Sequence, residues 1–247
     1  MDKKLIDLNH DIHTYLSPDF YPYKTFNGSA VNITVREVIY SNYGYEMVGA
    51  IIEAVLNSTY DKEIEKMFRQ LNMNSTFAEK REAIYKHRPQ YYMNSTKLEK
   101  SDIIDELWSY EGWWPAGGII STASDLIKFG NAMISANKGI SKDFLSEKTA
   151  KELWTPETIG KIKPKDWIEL LGPFEYAKGW FIKDIPESDP YPYKKILHHG
   201  GNLFGTTTHL SVFPDQNIVG VVFSNKGFTD GLDLLIQNVA KNFKQFL

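Results

Sequence analysis

The sequence predicts an α+β fold, and three observations carry that expectation. Apolar residues recur at helical spacing through the first two thirds of the chain, as in Met47, Val48, Ile51, Ile52 and Val55. Strand-like runs then take over, separated by turns such as Pro214-Asp215-Gln216-Asn217. An amphipathic helix closes the chain from about Asp230. Helices, then an antiparallel meander, then a terminal helix is an α+β order. The helical part is expected over about 30–155, and the sheet with its closing helix over about 174–247. Together they read as a single domain over 1–247.

Taken in order, residues 1–16 look like the end of one element running into a short amphipathic piece. His10 and His13 are three apart, but no third ligand cluster accompanies them, so no metal or other cofactor is expected. An aromatic-rich loop with Pro18 and Pro22 follows, then a short helix start at 33–38 with Thr34 as its cap. That start runs abruptly into the stretch 39–55, around which the chain is organised. Its helical half turns Glu46 and Glu53 off the apolar face. Its entry is the polar triplet Tyr40-Ser41-Asn42. Alone, the triplet reads as a capped helix start. A phenol and an amide two residues apart can also point into one cleft, which becomes catalytic if a nucleophile faces them.

Asn57-Ser58 ends this helix, and a second over 59–73 turns Ile64, Met67, Phe68 and Leu71 inward. Residues 74–110 are polar and irregular, and 111–118 form a glycine-rich turn. Ser121-Thr122-Ala123-Ser124-Asp125 caps a strong helix with Leu126, Ile127, Phe129, Ala132 and Met133 inward. A short helix is expected near 148–153 and a loop over 155–173. The predicted strands are 176–182, 195–199, 206–213 and 218–224, and the last helix is expected to bury Leu234, Leu235, Val239 and Phe243.

Composition narrows the function classes. The net charge is −3 and there are no Lys/Arg runs, which argues against nucleic acid as a partner. No apolar run approaches the roughly 18 residues of a membrane helix. The absence of cysteine excludes disulfides and thiol chemistry. Five N-x-[ST] sequons begin at Asn27, Asn32, Asn57, Asn74 and Asn94, which points to secretory passage.

Three ordered motifs resemble one family. Tyr40-Ser41-Asn42 resembles the Tyr-x-Asn element of serine beta-lactamase-related hydrolases and penicillin-binding proteins. Residues 114–126 are similar to that family's Gly-Gly-x-x-Ser-Thr-x-x-Asp-Leu segment, and His198-His199-Gly200-Gly201 sits where it has Lys-Thr-Gly or His-x-Gly. The segment 125–133 resembles an animal mitochondrial subgroup associated with filament assembly and lipid metabolism. The resemblance implies a beta-lactamase/transpeptidase-like fold, an antiparallel sheet flanked by helices. It implies a small-molecule or peptide acyl substrate, Tyr40 at the acid/base position, and Asn42, His198, His199, Gly200 and Gly201 holding substrate. It also implies a mitochondrial location, with secretion, read from the sequons, as the alternative.

The departures from the family pattern shape the remaining expectations. The family's nucleophile lies in Ser-x-x-Lys ahead of Tyr-x-Asn, and here it would fall before Met1, so the fold is expected to be incomplete at its N-terminus. Ser135-Ala136-Asn137-Lys138 matches the pattern but follows Tyr40 and ends a surface helix. The junction at Val38-Ile39-Tyr40 lacks the family's usual insertion, and His199 replaces a small hydroxyl residue. Without the lysine, Tyr40 should stay protonated, because a phenol near 10 needs adjacent cations to ionise at neutral pH. A peptidase- or esterase-type hydrolase lacking its nucleophile is therefore expected, inactive as written, with a non-catalytic binding or assembly module as the alternative. Ser41 and Ser121 read as caps, not nucleophiles. An open sheet edge and an uncovered apolar face, with self-association, should follow.

Overall fold

A computed structural model describes residues 40–80, 82–93, 97, 99–100, 113–141, 143–156, 174–203 and 205–243. Expectations for 1–39, including His10, His13, the helix start at 33–38 and the sequons at Asn27 and Asn32, lie outside these. So do those for Asn94 and for 157–173.

Helix α1 spans Asn42–Leu56, and Ser41 caps it by accepting from the Gly44 N–H at 3.2 Å. Asn57 ends it in the left-handed region at φ 49°. Helix α2, Tyr60–Gln70, begins one short turn later, tied back where Tyr60 N donates to Glu53 Oε1 at 2.7 Å. Its Phe68 is buried as the spacing predicts. The facing of α1 differs from expectation. Val48 is 52% exposed, Gly49 is the buried residue, and Glu46 turns inward to accept from the Ala116 N–H at 3.1 Å. The reason is the partner: α1 packs on the 113–118 turn, not on a broad apolar sheet.

The short strands β1 (Phe77–Ala78) and β4 (Ile119–Ile120) pair antiparallel, as do β2 (Tyr92–Met93) and β3 (Glu99–Lys100). Helix α3, Ala123–Asn137, follows, capped by Thr122, whose hydroxyl accepts from Asp125 N. It buries Met133, Ile134 and Ala136, whereas Ile127 faces outward. Asp125 itself is buried and pins the turn after α2: its carboxylate accepts from Ser75 N at 2.7 Å and Thr76 Oγ1 at 3.0 Å and pairs with Lys128. Helix α4 spans Glu147–Leu153.

The last third is one antiparallel sheet in the order β5-β6-β7-β8-β9. The run predicted at 176–182 is in fact two strands, β5 (Glu175–Tyr176) and β6 (Phe181–Asp184), because Gly179 at φ +81° lets the chain reverse between them. Strand β7 runs beyond the predicted 195–199 to cover Lys195–Leu203, and β8 is Thr206–Phe213 and β9 Ile218–Ser224. Strand alternation gives the sheet two apolar faces. Leu197, Leu210 and Val212 pack with Met133, Ile134 and Trp154 on the α3/α4 side. Ile196 and Phe213 pack on the other side against helix α5, Leu232–Phe243.

Helix α5 corrects a second expectation. It buries Ile236, Gln237 and Ala240, and leaves Leu234, Leu235, Val239 and Phe243 about half exposed. The sheet selects the stripe: a β-carbon on Gly220 would lie 2.3 Å from Ile236 Cγ2, so the helix approaches through that glycine. The predicted residues form another stripe on the same helix.

Candidate active site

The site forms where the entry of α1 meets the middle of β7. Tyr40, half-buried just ahead of the Ser41 cap, puts its ring 6.0 Å from Tyr45 and 6.1 Å from His199. Asn42, the first residue of α1, is exposed beside them. Tyr43 lies exposed on the same entry, its ring 6.1 Å from Trp113 of the glycine-rich turn. The phenol of Tyr40 is raised above the ordinary tyrosine range, by burial first and by Tyr45 second. It is a proton donor at neutral pH.

The two histidines are separated by the pleat. His199 alternates with His198 along β7, opposite Leu210, and its ring is the one that comes within 6.1 Å of Tyr40. Its Nδ1 is 2.8 Å from the Gly200 carbonyl. A carbonyl only accepts, so Nδ1 carries the proton and Nε2 of the neutral ring is left as an acceptor. Burial lowers its pKa, the bond to Gly200 opposing. His198 points to the opposite side and is buried between Phe181, 5.5 Å away, and His209, 5.2 Å away, both stacked. Burial, then His209, His199 and Lys183, push it down to about 3, so it is neutral and supplies no positive charge. Its Nδ1 and the Nε2 of His209 have no hydrogen-bond partner among the described residues.

Gly200 and Gly201 are exposed on β7 opposite His209 and Thr208. A side chain at Gly201 would meet Thr208 Oγ1 at 2.7 Å. The strand thus presents bare backbone there, suited to close approach by a ligand. Three residues that the sequence did not single out complete the site: Tyr45, Tyr176 and Phe181. The Tyr45 and Tyr176 hydroxyls are 2.5 Å apart, and Phe181 lies edge-on to Tyr176 at 4.9 Å and 5.1 Å from His199. Strand pairing sets Tyr176 against Phe181, and the packing of the α1 entry on the sheet brings Tyr45 to them.

The serines of the two caps and of the Ser-x-x-Lys match lie away from this cleft chemistry. Ser41 Oγ caps α1, and Ser121 Oγ bonds Thr76 Oγ1 at 2.8 Å. Lys138 of the lone Ser-x-x-Lys donates to Asn217 in the β8–β9 turn at 2.6 Å, at the surface end of α3. Among the described residues no group of three His, Asp or Glu is placed to hold a metal. No helix among them is long and apolar enough to cross a membrane.

A helical layer delivering a tyrosine to a strand that reads His-His-Gly-Gly, within a five-stranded antiparallel sheet, defines a beta-lactamase/transpeptidase-like fold. The chain belongs to the beta-lactamase family, whose profile matches residues 35–240. It is 28% identical over 195 residues to the serine beta-lactamase-like protein LACTB, mitochondrial, of Bos taurus, covering 73% of this chain. The human protein of that name is 27% identical over 193 residues. The matches span about a third of those relatives, 33% and 34%. Among solved structures, an octameric penicillin-binding protein homologue from Pyrococcus abyssi has a TM-score of 0.66 at 20% identity, with 86% of this chain and 43% of that one covered. A class C beta-lactamase mutant has a TM-score of 0.68 at 14% identity, with 98% and 76% covered. These likenesses bear out the serine beta-lactamase-like family and the α+β fold.

Proposed function

We propose that this cleft is the substrate side of a serine-hydrolase site of peptidase or esterase type, which in this chain binds an acyl compound without turning it over. The observation that carries the reading is the Tyr40 ring 6.1 Å from His199 at the entry of α1, where burial raises the phenol and lowers the imidazole. A phenol raised by burial is a poor base but a good donor to a carbonyl or carboxylate oxygen. In this reading Tyr40 donates, His199 Nε2 accepts, Asn42 orients the acyl side chain and the Gly200–Gly201 backbone lines the floor. His198 supports the strand from behind. The whole of 1–247 acts as one domain.

Two probes test it. Benzylpenicillin and a fluorophosphonate should leave the intact mass of the 1–247 chain unchanged, while a non-hydrolysable acyl amide should bind saturably and lose affinity in Tyr40→Phe. A covalent adduct on any serine would overturn the non-catalytic part, and binding indifferent to Tyr40 would overturn the site. A mitochondrial location belongs to this reading, supported by the names of the bovine and human relatives. Glycopeptides at Asn57 or Asn74, both exposed, would instead mark secretory passage.

A second reading, an assembly module built on the same fold, is favoured by the half-exposed apolar stripe of α5. The octameric state of the archaeal relative supports it.

A further inference from the structure

Five rings around the cleft close on themselves. Tyr40 packs on Tyr45 at 6.0 Å, and Tyr45 meets Tyr176 through their hydroxyls. Tyr176 stands edge-on to Phe181 at 4.9 Å, Phe181 lies 5.1 Å from His199, and His199 returns to Tyr40 at 6.1 Å. Two layers of the fold meet in this circuit, since Tyr40 and Tyr45 belong to the entry of α1 and the other three to the sheet. The two glutamates of α1 are tied to the helical side, Glu46 accepting from Ala116 N and Glu53 from Tyr60 N. The hydroxyl bond therefore links the helix entry to strand β5 across 131 residues of sequence. Gly179, in the reversal after β5, lies against the Tyr45 hydroxyl: a β-carbon there would stand 3.8 Å from it, at ordinary contact distance.

We propose that Tyr45 and Tyr176 are a positioning pair that sets the separation of Tyr40 from His199 and so shapes the cleft for its acyl ligand. The inference rests on the reading of the cleft as a ligand site. Rings alone fix a position loosely, because offset and tilted aromatic contacts tolerate a range of geometries. A hydrogen bond fixes both distance and direction. With the bond present, the first turn of α1 cannot slide along β5 without breaking it. With the bond absent, Tyr40 keeps its packing but not its register against His199.

The test uses Tyr45→Phe, Tyr176→Phe and the double variant, each of which keeps the ring and removes the hydroxyl. Tyrosine labelled at the phenol carbon, with Tyr40 assigned through Tyr40→Phe, reports its ionisation midpoint by NMR, and ring cross-peaks report its contact with His199. The expected result is loss of the cross-peak in both single variants and, in Tyr176→Phe, where the Tyr45 hydroxyl that itself raises Tyr40 is retained, a downward shift of the Tyr40 midpoint towards that of an exposed phenol. The double variant should be no worse than either single one, as for two halves of one bond. An unchanged midpoint and cross-peak, even in a variant of lowered stability, would show the bond to be merely structural and overturn the inference. If the wild-type chain binds no acyl amide yet the midpoint shifts as stated, the pair stands and the reading of the cleft falls.

Discussion

A β-carbon added to Gly49 would come within 2.3 Å of Pro115 Cγ, so the middle of α1 and the glycine-rich turn touch where no side chain fits. Helix propensity favours alanine over glycine by about 1 kcal/mol, while forcing a methyl into a packed contact costs about 1–3 kcal/mol. The clash outweighs the propensity. Gly49→Ala should destabilise the fold by up to about 2 kcal/mol in urea unfolding. A stabilised variant would show that the turn moves aside freely.

The Asp125 carboxylate serves three donors at once, from Ser75, Thr76 and Lys128. Replacing it with alanine takes the charged acceptor from one buried donor, Thr76, and from two part-buried ones, at about 1 kcal/mol or somewhat more per bond. Asp125→Ala should lose about 2–4 kcal/mol, and Asp125→Asn less, since the amide oxygen still accepts. Equal losses in the two variants would argue that charge, not hydrogen bonding, holds the turn after α2.

Stability should fall on mild acidification. His198 is held down to about 3 and His209 to about 4, against about 6.5 when unfolded, and burial is the leading cause for both. His209 and Lys183 deepen the shift of His198, while Asp233 opposes that of His209. Below pH 6.5 the unfolded chain takes up protons that the native one refuses, so the contribution is complete above 6.5 and lost as pH falls towards 4 and then 3. At pH 5 each histidine accounts for about 2 kcal/mol lost relative to pH 7.5, less whatever the pair's coupling removes. Urea midpoints at the two pH values check this. His198→Phe should remove about half of the difference, leaving the share of His209, and a wild-type midpoint unmoved between pH 7.5 and 5 would refute the assignment.

The outer stripe of α5 predicts association. Leu235, Val239 and Phe243 lie at four-residue spacing, about half exposed, beside a shallow groove of about 330 Å³ lined by Asn238, Val239, Asn242 and Phe243. Contiguous apolar surface of this kind recruits partners or dye. Sedimentation velocity should show concentration-dependent association, reduced by Val239→Lys with little change in urea stability. A monomer at every concentration that binds no hydrophobic dye would show the stripe to be covered.

Much of this was legible in the residues. Helix starts are local events: Ser41, Thr122 and Ser146 cap through bonds to N–H groups within three residues, so the α1, α3 and α4 starts follow from sequence alone. The turn residues marked the meander, and the three motifs marked Tyr40 and the His-His-Gly-Gly strand. Facing was less legible. Periodicity shows that a helix has an apolar side, but α1 and α5 each carry more apolar residues than one partner can cover. The choice fell to Gly49 and Gly220, glycines whose missing side chains let a neighbour approach closely.

The site divided the same way. The sequence by itself determined the family, the tyrosine at the helix entry and the order of helices, strands and closing helix, because these depend on neighbours along the chain. Only the tertiary structure decided that His199 and not His198 meets Tyr40, and that Tyr45 and Tyr176 join across the layers. Strand register assigns alternate residues to opposite faces, and that register is set by pairing with a strand elsewhere in the chain.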